Sequence, residues 1–475
     1  MATTLEVQNN YSWLETDSSQ VRYLLWKSLR FREKNYFHSR LYQQKIWDGF
    51  TDFFKKESGR FLTGLLPEVE AALKHLNTEY SIIDKRTKLA FEIEKIDKDF
   101  LQQWNVGKKI ELEDYQVDLT NSIIRNKRGV VFAPTSAGKT FIMVSILKAM
   151  KPKTPALVLC NRQSLVDQNY EELMKWGFKD VGRLYDKYNE PNIITCATVQ
   201  SIAKIEKLLP YFKVLVVDEI HDMMAKTSRK CYDKMKSACV RVAVSATPFK
   251  DGGKDKCQKY SVKGYFGPVM KTNSTATVGG VVTTKKLQER GRLSKANSTF
   301  FNIHQPELPY AIYQDAVTLG IANNLYFHNI VTRLAKGLTG RTLILVERLE
   351  HGDALKQLIP DALWVQGKDN MKTRKEVIKQ LQVAKGNVIA IATSGIFNTG
   401  LNVFLMNLIN AAGGKSEHVI IQRFGRGLRV CGDKDILNYY DFMFLINEYL
   451  HDHSKDRVKI LRKEGHEVTI KEIDF

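Results

Sequence analysis

Residues 129–140 read GVVFAPTSAGKT, and this stretch decides the fold of the chain around it. A β-branched run ends at Ala133, a loop of small residues follows, and the apolar sequence FIMVSILKAM begins directly after Thr140. This order predicts a buried strand, a phosphate-binding loop and a helix whose N-terminus faces the bound anion. Ala133 stands where glycine is usual, and alanine can serve there only if the backbone does not need a positive φ.

Further apolar runs follow this stretch and predict an α/β fold with two parallel-sheet domains in tandem. They have the uninterrupted apolar character of strands that are covered on both faces. The first series is ALVLC (156–160), NIITC (192–196), VLVVD (214–218) and RVAVS (241–245), and the second is RTLILV (341–346), ALWVQ (362–366), NVIAIA (387–392) and HVIIQ (418–422). We place the junction near 305, before a predicted helix from Pro309 to Gly337, which gives domains at 106–305 and 306–475.

The first 105 residues differ in composition and form a separate predicted domain, a small α/β one. Aromatic residues are frequent there, and between 21 and 60 ten Lys and Arg stand against four Asp and Glu. Residues 1–105 contain 16 Lys and Arg and 15 Asp and Glu, and residues 445–475 contain 6 Lys and Arg and 7 Asp and Glu. The full chain has 72 against 52, so the two ends contribute +1 and −1 and the net +20 lies in 106–444. This excess favours a phosphate-backbone partner over a basic surface that only aids solubility.

Other features bear on location and on metals. Six cysteines stand at 160, 196, 231, 239, 257 and 431 without a Cys-x-x-Cys pair or a histidine at zinc spacing, so we expect no structural zinc. Free thiols at this density fit a reducing cytosol. The N-terminus lacks a secretory pattern, and no apolar run reaches the roughly 20 residues that span a bilayer. We therefore expect a cytoplasmic protein without a membrane partner.

Two groups of residues predict a site for ATP and Mg²⁺. Lys139 is placed to reach the β- and γ-phosphates and Thr140 to hold Mg²⁺, while Gly138 lets the backbone approach. Further along, VLVVDEIHDM ends a predicted strand with Asp218, suited to the Mg²⁺ shell, and Glu219, suited to orient and deprotonate the attacking water. An acidic loop after a strand is unremarkable alone. Its position between the phosphate loop and VAVSATP favours a nucleotide site.

These motifs resemble those of superfamily 2 helicases of the DExH kind. APTSAGKT, DEIH and SAT are similar to motifs I, II and III, and LEDYQ (112–116) resembles the adenine-reading Q motif. ALVLCNRQSLVDQ (156–168) and IITCATVQSI (193–202) resemble motifs Ia and Ib, and RTLILVERLEHGDAL, from 341 onward, resembles motif IV. ATSGIFNTGLNV (392–403) and QRFGRGLR (422–429) resemble motifs V and VI. The resemblance implies two RecA-like domains with ATP between them.

The resemblance also implies roles around the nucleotide. Arg426 and Arg429 would act as arginine fingers on the γ-phosphate, the alternative being simple phosphate binding at a surface. Coupling of the nucleotide state to the domain interface would use Ser245, Thr247 and Gly400, and His221 would link motif II to that interface rather than bind metal. The nucleotide contacts that it implies are Tyr115, Gln116, Pro134, Thr135, Ser136, Ala137, Gly138, Lys139, Thr140 and Gln422.

Motifs Ia, Ib, IV and V would line a nucleic-acid strand with hydroxyl, amide and basic groups. A Lys-rich loop at 250–263 would add charge, unless it is only a solvated turn. The contacts expected in the two RecA-like domains are Arg162, Thr195, Thr198, Gln200, Thr393 and Ser394, and those expected in 1–105 are Arg30, Arg32, Arg40 and Lys45.

Within the superfamily, the chain resembles the phage UvsW-type helicases. The variant loop PTSAGK and the N-terminal run LYQQKIWDGF (41–50) carry this resemblance. It implies a monomeric, ATP-dependent DNA helicase of the host cytoplasm that regresses forks, migrates Holliday junctions and unwinds DNA in phage recombination, repair or replication. Three alternatives remain: an RNA helicase, a duplex translocase that never separates strands, and a non-catalytic binding protein. The intact Lys139, Asp218, Glu219 and Arg429 argue against the last.

Overall fold

The computed structural model describes residues 3–105, 109–186, 188–306, 312–369, 371–383, 386–397, 404–430 and 436–474. It divides into two compact units. The first unit consists of Met1–Ala133 and Gly138–Val282, and the second consists of Pro134–Ala137 and Thr283–Phe475. Each unit has its own seven-stranded sheet, and the first has a four-stranded sheet as well. The α/β class with two parallel-sheet domains and a small N-terminal α/β region is thus confirmed.

The N-terminal region folds around the four-stranded sheet. Strands β1 (Thr3–Val7), β2 (Tyr11–Glu15), β3 (Arg30–Arg32), β4 (Phe50–Asp52), β5 (Arg60–Leu62) and β6 (Tyr80–Asp84) alternate with helices α1 (Ser19–Ser28), α2 (Arg40–Gln43) and α3 (Leu66–His75). The sheet order is β5-β2-β1-β6, and β3 and β4 form a separate hairpin. Alternation along the strands turns Leu5 and Leu14 inward, where they pack with Leu25 of α1 and Leu73 of α3.

The turn between β1 and β2 fixes this small sheet to the rest of the first unit. Arg128 donates a hydrogen bond to Asn9 O, and Arg241 donates one to Asn10 Oδ1. In return, Asn10 Nδ2 donates to Asp233 O at 2.7 Å. Both arginines are buried, and burial lowers the pKa of each. Because a buried cation without hydrogen bonds is costly, these contacts hold the N-terminal sheet in one position.

We expect Arg241→Ala to lower the free energy of unfolding of the first unit by about 3 kcal/mol. The Arg241 guanidinium also donates to Met235 O at 2.8 Å and Tyr232 O at 3.2 Å, and the change would leave these buried oxygens without that donor. Denaturant titration followed by circular dichroism measures the loss. Asn10→Ala is the matched change, and the double variant should cost less than the sum of the two. Strict additivity within about 0.5 kcal/mol would contradict the anchor.

The rest of the first unit is a parallel sheet covered by helices. Its strands are β7 (Arg128–Phe132), β8 (Ala156–Cys160), β9 (Val181–Tyr185), β10 (Tyr188–Glu190), β11 (Ile194–Thr198), β12 (Val214–Asp218) and β13 (Val240–Ser245). They lie in the order β10-β9-β11-β8-β12-β13-β7; β10 pairs antiparallel with β9, and the other neighbours are parallel. The helices are α4 (Asp114–Asn126), α5 (Lys139–Ala149), α6 (Gln163–Lys175), α7 (Lys226–Lys234) and α8 (Lys256–Phe266). The residues that follow the parallel strands therefore share one edge of the sheet.

Short elements complete the first unit. They are the 3-10 helices Tyr36–His38, Thr63–Leu65, Phe100–Trp104, Val199–Tyr211, Ile220–Asp222 and Lys250–Gly253, and the hairpin of β14 (Thr277–Val278) and β15 (Val281–Val282). The prediction of a loop at 250–263 is wrong, because most of these residues form the 3-10 turn Lys250–Gly253 and the first part of α8.

The second unit repeats the parallel-sheet plan. Its strands are β16 (Lys295–Ile303), β17 (Arg341–Val346), β18 (Leu363–Val365), β19 (Val388–Thr393), β20 (Asn407–Asn410), β21 (Ile436–Phe444) and β22 (Val468–Lys471), in the order β18-β19-β17-β20-β21-β16-β22. Its helices are α9 (Thr284–Glu289), α10 (Tyr313–Val317), α11 (Leu325–Gly337), α12 (Leu349–Leu358), α13 (Met371–Val383), α14 (Ser394–Phe397), α15 (Glu417–Gly427) and α16 (Glu448–Lys463), with a π-helical turn at Thr318–Ala322.

Three sequence predictions about this unit are wrong. The junction lies near 283 rather than 305, because β16 pairs with β21 and β22 in the second sheet. The run at 418–422 is part of helix α15 rather than a strand, and a short apolar run cannot by itself distinguish the two. The helix expected from Pro309 to Gly337 is divided into α10, a π-helical turn and α11, and its first residues lie outside the described part of the chain.

Candidate nucleotide and nucleic-acid sites

The phosphate-binding loop follows β7, as the sequence predicts. Helix α5 begins at Lys139, and its N-cap Gly138 has a φ of 74° in the left-handed region. A Cβ at Gly138 would lie 2.3 Å from Gln116 Nε2, so this position requires glycine for space as well as for conformation. Ala133 is absent from the described residues with positive φ, which explains why alanine is accepted at the first loop position.

Gln116 and Tyr115 lie on α4 beside this loop. Both are buried, and Gln116 Oε1 accepts a hydrogen bond from the Glu113 backbone N–H at 3.0 Å in a capping box. The start of α4 therefore holds the Gln116 amide against Gly138. This placement fits the adenine-side role that the Q motif implies, which stays a prediction.

Three charged groups of the predicted catalytic set meet at the carboxyl edge of the first sheet. Lys139 Nζ lies 4.0 Å from Glu219 Oε1 and 3.5 Å from Ala133 O. Asp218 ends β12, and Asn169 Nδ2 donates to its Oδ2 at 3.4 Å. Burial and, secondly, the charge of Glu219 raise the pKa of Asp218, while Lys139 opposes the rise. Two adjoining carboxylates held this way favour a bound cation, and the sequence patterns did not single out Asn169.

Ser245 joins Glu219 to the end of β13. Ser245 Oγ donates to Glu219 Oε2 at 3.1 Å, lies 3.0 Å from His221 Nδ1 and accepts the Thr247 backbone N–H at 3.0 Å. Glu219 has a φ of 52°, an uncommon conformation for a residue with a side chain, and such strain concentrates at functional sites. The structure thus brings together motifs II and III, including three of the residues expected to couple the nucleotide state.

The resemblance to helicases implies strand displacement, and we expect Ser245→Ala to lower strand displacement per ATP hydrolysed by about tenfold, since a hydrogen bond to a charged group contributes about 1.5–3 kcal/mol. The reason is that Glu219 and His221 lose the hydroxyl that joins them to β13. Parallel ATPase and strand-displacement assays give the ratio. Ser28→Ala is the control, because Ser28 Oγ donates to Leu25 O within its own helix. An unchanged ratio would remove Ser245 from the coupling path.

The motif VI residues lie on or just after α15 in the second unit. Gln422 and Arg426 are buried in α15. Residues 134–137, which include Ser136, belong to this second unit. Arg429 Nε donates to Ser136 Oγ at 2.9 Å, and Ser136 Oγ in turn donates to Gly425 O at 3.3 Å. Burial first, and then the charge of Arg426, lower the pKa of Arg429 to about 10. Residues 134–137, expected to contact phosphates, thus lie against the residues expected to act as fingers.

The motif Ia and Ib residues line an open groove at the carboxyl edge of the first sheet. Arg162, Thr198 and Gln200 share this groove of about 660 Å³ with Lys204, which the motifs did not single out. The prediction that Thr195 contacts a phosphate is wrong. Its side chain is fully buried in β11, and its hydroxyl donates to Asn192 O at 2.7 Å.

The motif V residues of the second unit are engaged with neighbouring side chains. Thr393 ends β19 and is buried, and Ser394 Oγ donates to Glu347 Oε2 at 2.5 Å. Arg423 donates to the same oxygen at 2.9 Å, so one carboxylate links motifs IV, V and VI. Gly400, expected to take part in coupling, lies outside the described residues.

The four basic residues of the N-terminal domain that are predicted to contact DNA fall into two kinds. Arg30 forms salt bridges with Asp48 and Asp52 and lies 4.4 Å from the Trp26 ring centroid, so it stabilises the hairpin region. The remaining three, which are exposed, are Arg32, Arg40 and Lys45. Of these, Arg32 also lies 4.8 Å from the Tyr36 ring centroid and 4.7 Å from that of Phe50, so Arg40 and Lys45 are the two that offer their charge most openly.

The two parallel-sheet units and the motif residues are similar to those of superfamily 2 helicases of the DExH kind. Residues 109–250 match the family model of the type III restriction enzyme res subunit. The chain is 25% identical to the ATP-dependent DNA helicase uvsW of Enterobacteria phage T4 over 368 residues, which cover 72% of this chain and 70% of the relative. It is therefore related to the phage UvsW-type helicases.

Two other relatives extend the comparison. The DNA 3'-5' translocase XPB2 of Sulfurisphaera tokodaii is 24% identical over 361 residues, 68% of this chain and 79% of the relative. A solved fragment from Vibrio vulnificus YJ016, assigned as the HsdR subunit of a type I restriction enzyme, has a TM-score of 0.55 at 19% identity and covers 76% of this chain and 68% of its own. At that identity the likeness shows the fold alone. Within the described residues, no helix has both the length and the apolarity needed to cross a membrane.

Proposed function

We propose that this protein uses ATP hydrolysis to remodel branched DNA, by regressing forks, migrating Holliday junctions and unwinding strands. The observation that carries the proposal is the cluster of Lys139, Glu219 and Ser245 at the carboxyl edge of the first sheet. A lysine at a helix N-terminus beside a carboxylate is the arrangement that binds phosphates and orients an attacking water. The 25% identity to a phage DNA helicase over most of the chain supports DNA as the substrate.

The site fits ATP with Mg²⁺. Asp218 and Thr140 would hold the metal ion, and the raised pKa of Asp218 reflects a carboxylate that a cation would keep ionised. When bound, Mg²⁺ supplies charge neutralisation at the phosphates. Lys139 would bind the β- and γ-phosphates, Glu219 would accept a proton from the attacking water, and Arg429 would stabilise the charge that develops on the γ-phosphate.

The nucleic-acid partner would occupy the groove at the carboxyl edge of the first sheet. Arg162 and Lys204 supply charge there, and Thr198 and Gln200 supply polar groups for phosphates. In the second unit, Thr393 at the end of β19 and Ser394 at the start of α14 would lie beside the strand. The exposed charges of the N-terminal domain would contact the branch point.

Comparison of substrates tests this proposal. We expect ATPase stimulation to be greater with DNA than with RNA, and remodelling to be faster on forked, three-way and four-way DNA than on linear duplexes. A chain that hydrolyses ATP and moves on duplex DNA without displacing or regressing a strand would be a translocase instead. Equal or greater stimulation by RNA would overturn the assignment to DNA.

We expect the double variant Arg40→Ala/Lys45→Ala to weaken fork binding about tenfold at low salt, because each lost phosphate contact removes one released counterion. Full deletion of 1–105 is a poorer test, since it would also remove the partners of Arg128 and Arg241. Fluorescence anisotropy with a labelled fork measures the effect. Lys55→Ala/Lys74→Ala removes equal charge from exposed sites of the same domain. Equal affinity of the two variants would argue against a DNA contact at Arg40 and Lys45.

A further inference from the structure

Two neighbouring grooves lie on the first unit, outside the sites described above. One, of about 1040 Å³, lies between the segment after β6 and the C-terminal end of α4. The other, of about 350 Å³, lies where α5 ends and β8 begins. We call the two grooves together the amino-edge track. Besides Arg86 and Arg128, nine cations line it: Lys88, Lys95, Arg125, Lys127, Lys271, Lys148, Lys151, Lys153 and Lys179.

The two grooves adjoin each other at one contact. Phe91 lines the first groove and Lys151 lines the second, and Lys151 Nζ lies 5.1 Å from the centroid of the Phe91 ring. At the far end, Lys148 Nζ lies 4.7 Å from the Trp104 ring centroid and 4.0 Å from that of Phe178. Two lysines of the track, Lys148 and Lys151, therefore lie over half-buried aromatic rings.

The track lies at the opposite edge of the sheet from the nucleotide site. Lys127 precedes β7, Cys239 precedes β13, and Asp180 precedes β9, and all three line the grooves. The phosphate-binding loop and Asp218 instead follow the carboxyl ends of their strands. With strands of five residues, the two edges are about 16 Å apart. A strand in the motif Ia and Ib groove would not fill this track.

The charge of the track is strongly positive. Two lining arginines are already engaged: Arg86 pairs with Asp84 at 2.5 Å, and Arg128 donates to the Asn9 and Tyr265 carbonyls. The other carboxylates that line the grooves are Glu92, Asp118 and Asp180. Nine cations therefore stand against three acids. Burial also lowers the pKa of Lys127 and of Lys148, a cost that a bound anion would offset.

We propose that the amino-edge track binds the phosphate backbone of a second DNA segment, an arm of the same branched substrate that does not lie in the motif Ia and Ib groove. Two adjoining cationic grooves suit a polyanion, and aromatic rings beside cations suit unpaired bases near a junction. This inference rests on the proposed function, because it needs a DNA substrate with more than one arm. It gives the first unit two DNA surfaces, one at each edge of its sheet.

Charge removal tests the track. The track variant replaces Lys88, Lys95, Arg125 and Lys271 with alanine, and the control variant replaces the exposed Lys226, Lys230, Lys336 and Lys459. Anisotropy is measured with a labelled fork and with a short single strand that is too small to reach both surfaces. For the fork, the plot of log association constant against log salt concentration should become less steep, its slope decreasing in magnitude by about 2–4 in the track variant. The affinity of the track variant for the fork should be at least tenfold lower than that of the control variant. The short strand should lose less than about twofold.

Lysine acetylation of the wild-type protein provides a second measurement that needs no substitution. Bound fork should slow modification of Lys88, Lys95 and Lys271, read by mass spectrometry, and should leave Lys226 unchanged. Equal fork affinity in the two variants, with no protection of these lysines, would overturn the track and would point to an acidic protein partner. Failure of the wild type to bind DNA or to show DNA-stimulated ATPase would overturn the proposed function instead, so the two failures are distinguishable.

Discussion

Arg429→Ala should lower the turnover of ATP by about 10³–10⁵-fold while ATP binding is largely retained, as expected for an arginine finger. The reason is electrostatic: the guanidinium would meet charge that develops on the γ-phosphate only in the transition state, so its loss affects turnover more than binding. The position of Arg429 supports this role. Its Nε donates to Ser136 of the phosphate-binding loop, and its charge is held in a largely buried setting that lowers its pKa to about 10.

Two further variants sharpen this test. Arg429→Lys keeps a positive charge but loses the planar group of donors, so it should recover only part of the turnover. Arg333→Ala removes an exposed arginine of α11 and should behave as the wild type. Binding of a fluorescent ATP analogue is measured beside steady-state hydrolysis. Loss of analogue binding with normal turnover of the remaining complex would be incompatible with a finger.

Lys139→Ala should reduce DNA-stimulated ATP hydrolysis by about 10²–10³-fold, the usual cost of removing one preorganised electrostatic group. Lys139 Nζ lies 4.0 Å from Glu219, so the change also removes the cation that opposes the mutual repulsion of Asp218 and Glu219. DNA binding should remain, because the motif Ia and Ib groove does not contain Lys139.

Hydrolysis assays with saturating DNA, together with anisotropy on the same DNA, measure the two effects separately. Lys226→Ala removes an exposed lysine of the same unit and is the matched control. Full ATPase in Lys139→Ala would refute the nucleotide site. Loss of DNA binding to the same degree as ATPase would show instead that the variant is misfolded or that the groove is misassigned.

The sequence alone determined the strand, loop and helix around Lys139 and the strand that ends on Asp218. It could do so because continuous apolar runs and glycine-dependent loops are local signals. It failed at β16, where the polar first half of KANSTFFNI hides a strand that the second sheet pairs on both sides. It also failed at Thr195, whose hydroxyl donates a hydrogen bond to the Asn192 carbonyl oxygen.

Only the tertiary structure decided which distant residues meet. Asn169 donates a hydrogen bond to Asp218, Ser245 joins Glu219 to His221, and Asn10 accepts a hydrogen bond from Arg241. The amino-edge track likewise collects lysines from segments that are far apart in sequence. Local patterns fix the strands and the loop, because each depends on neighbouring residues. Contacts between segments depend on sheet order and side-chain packing, which no short stretch of sequence encodes.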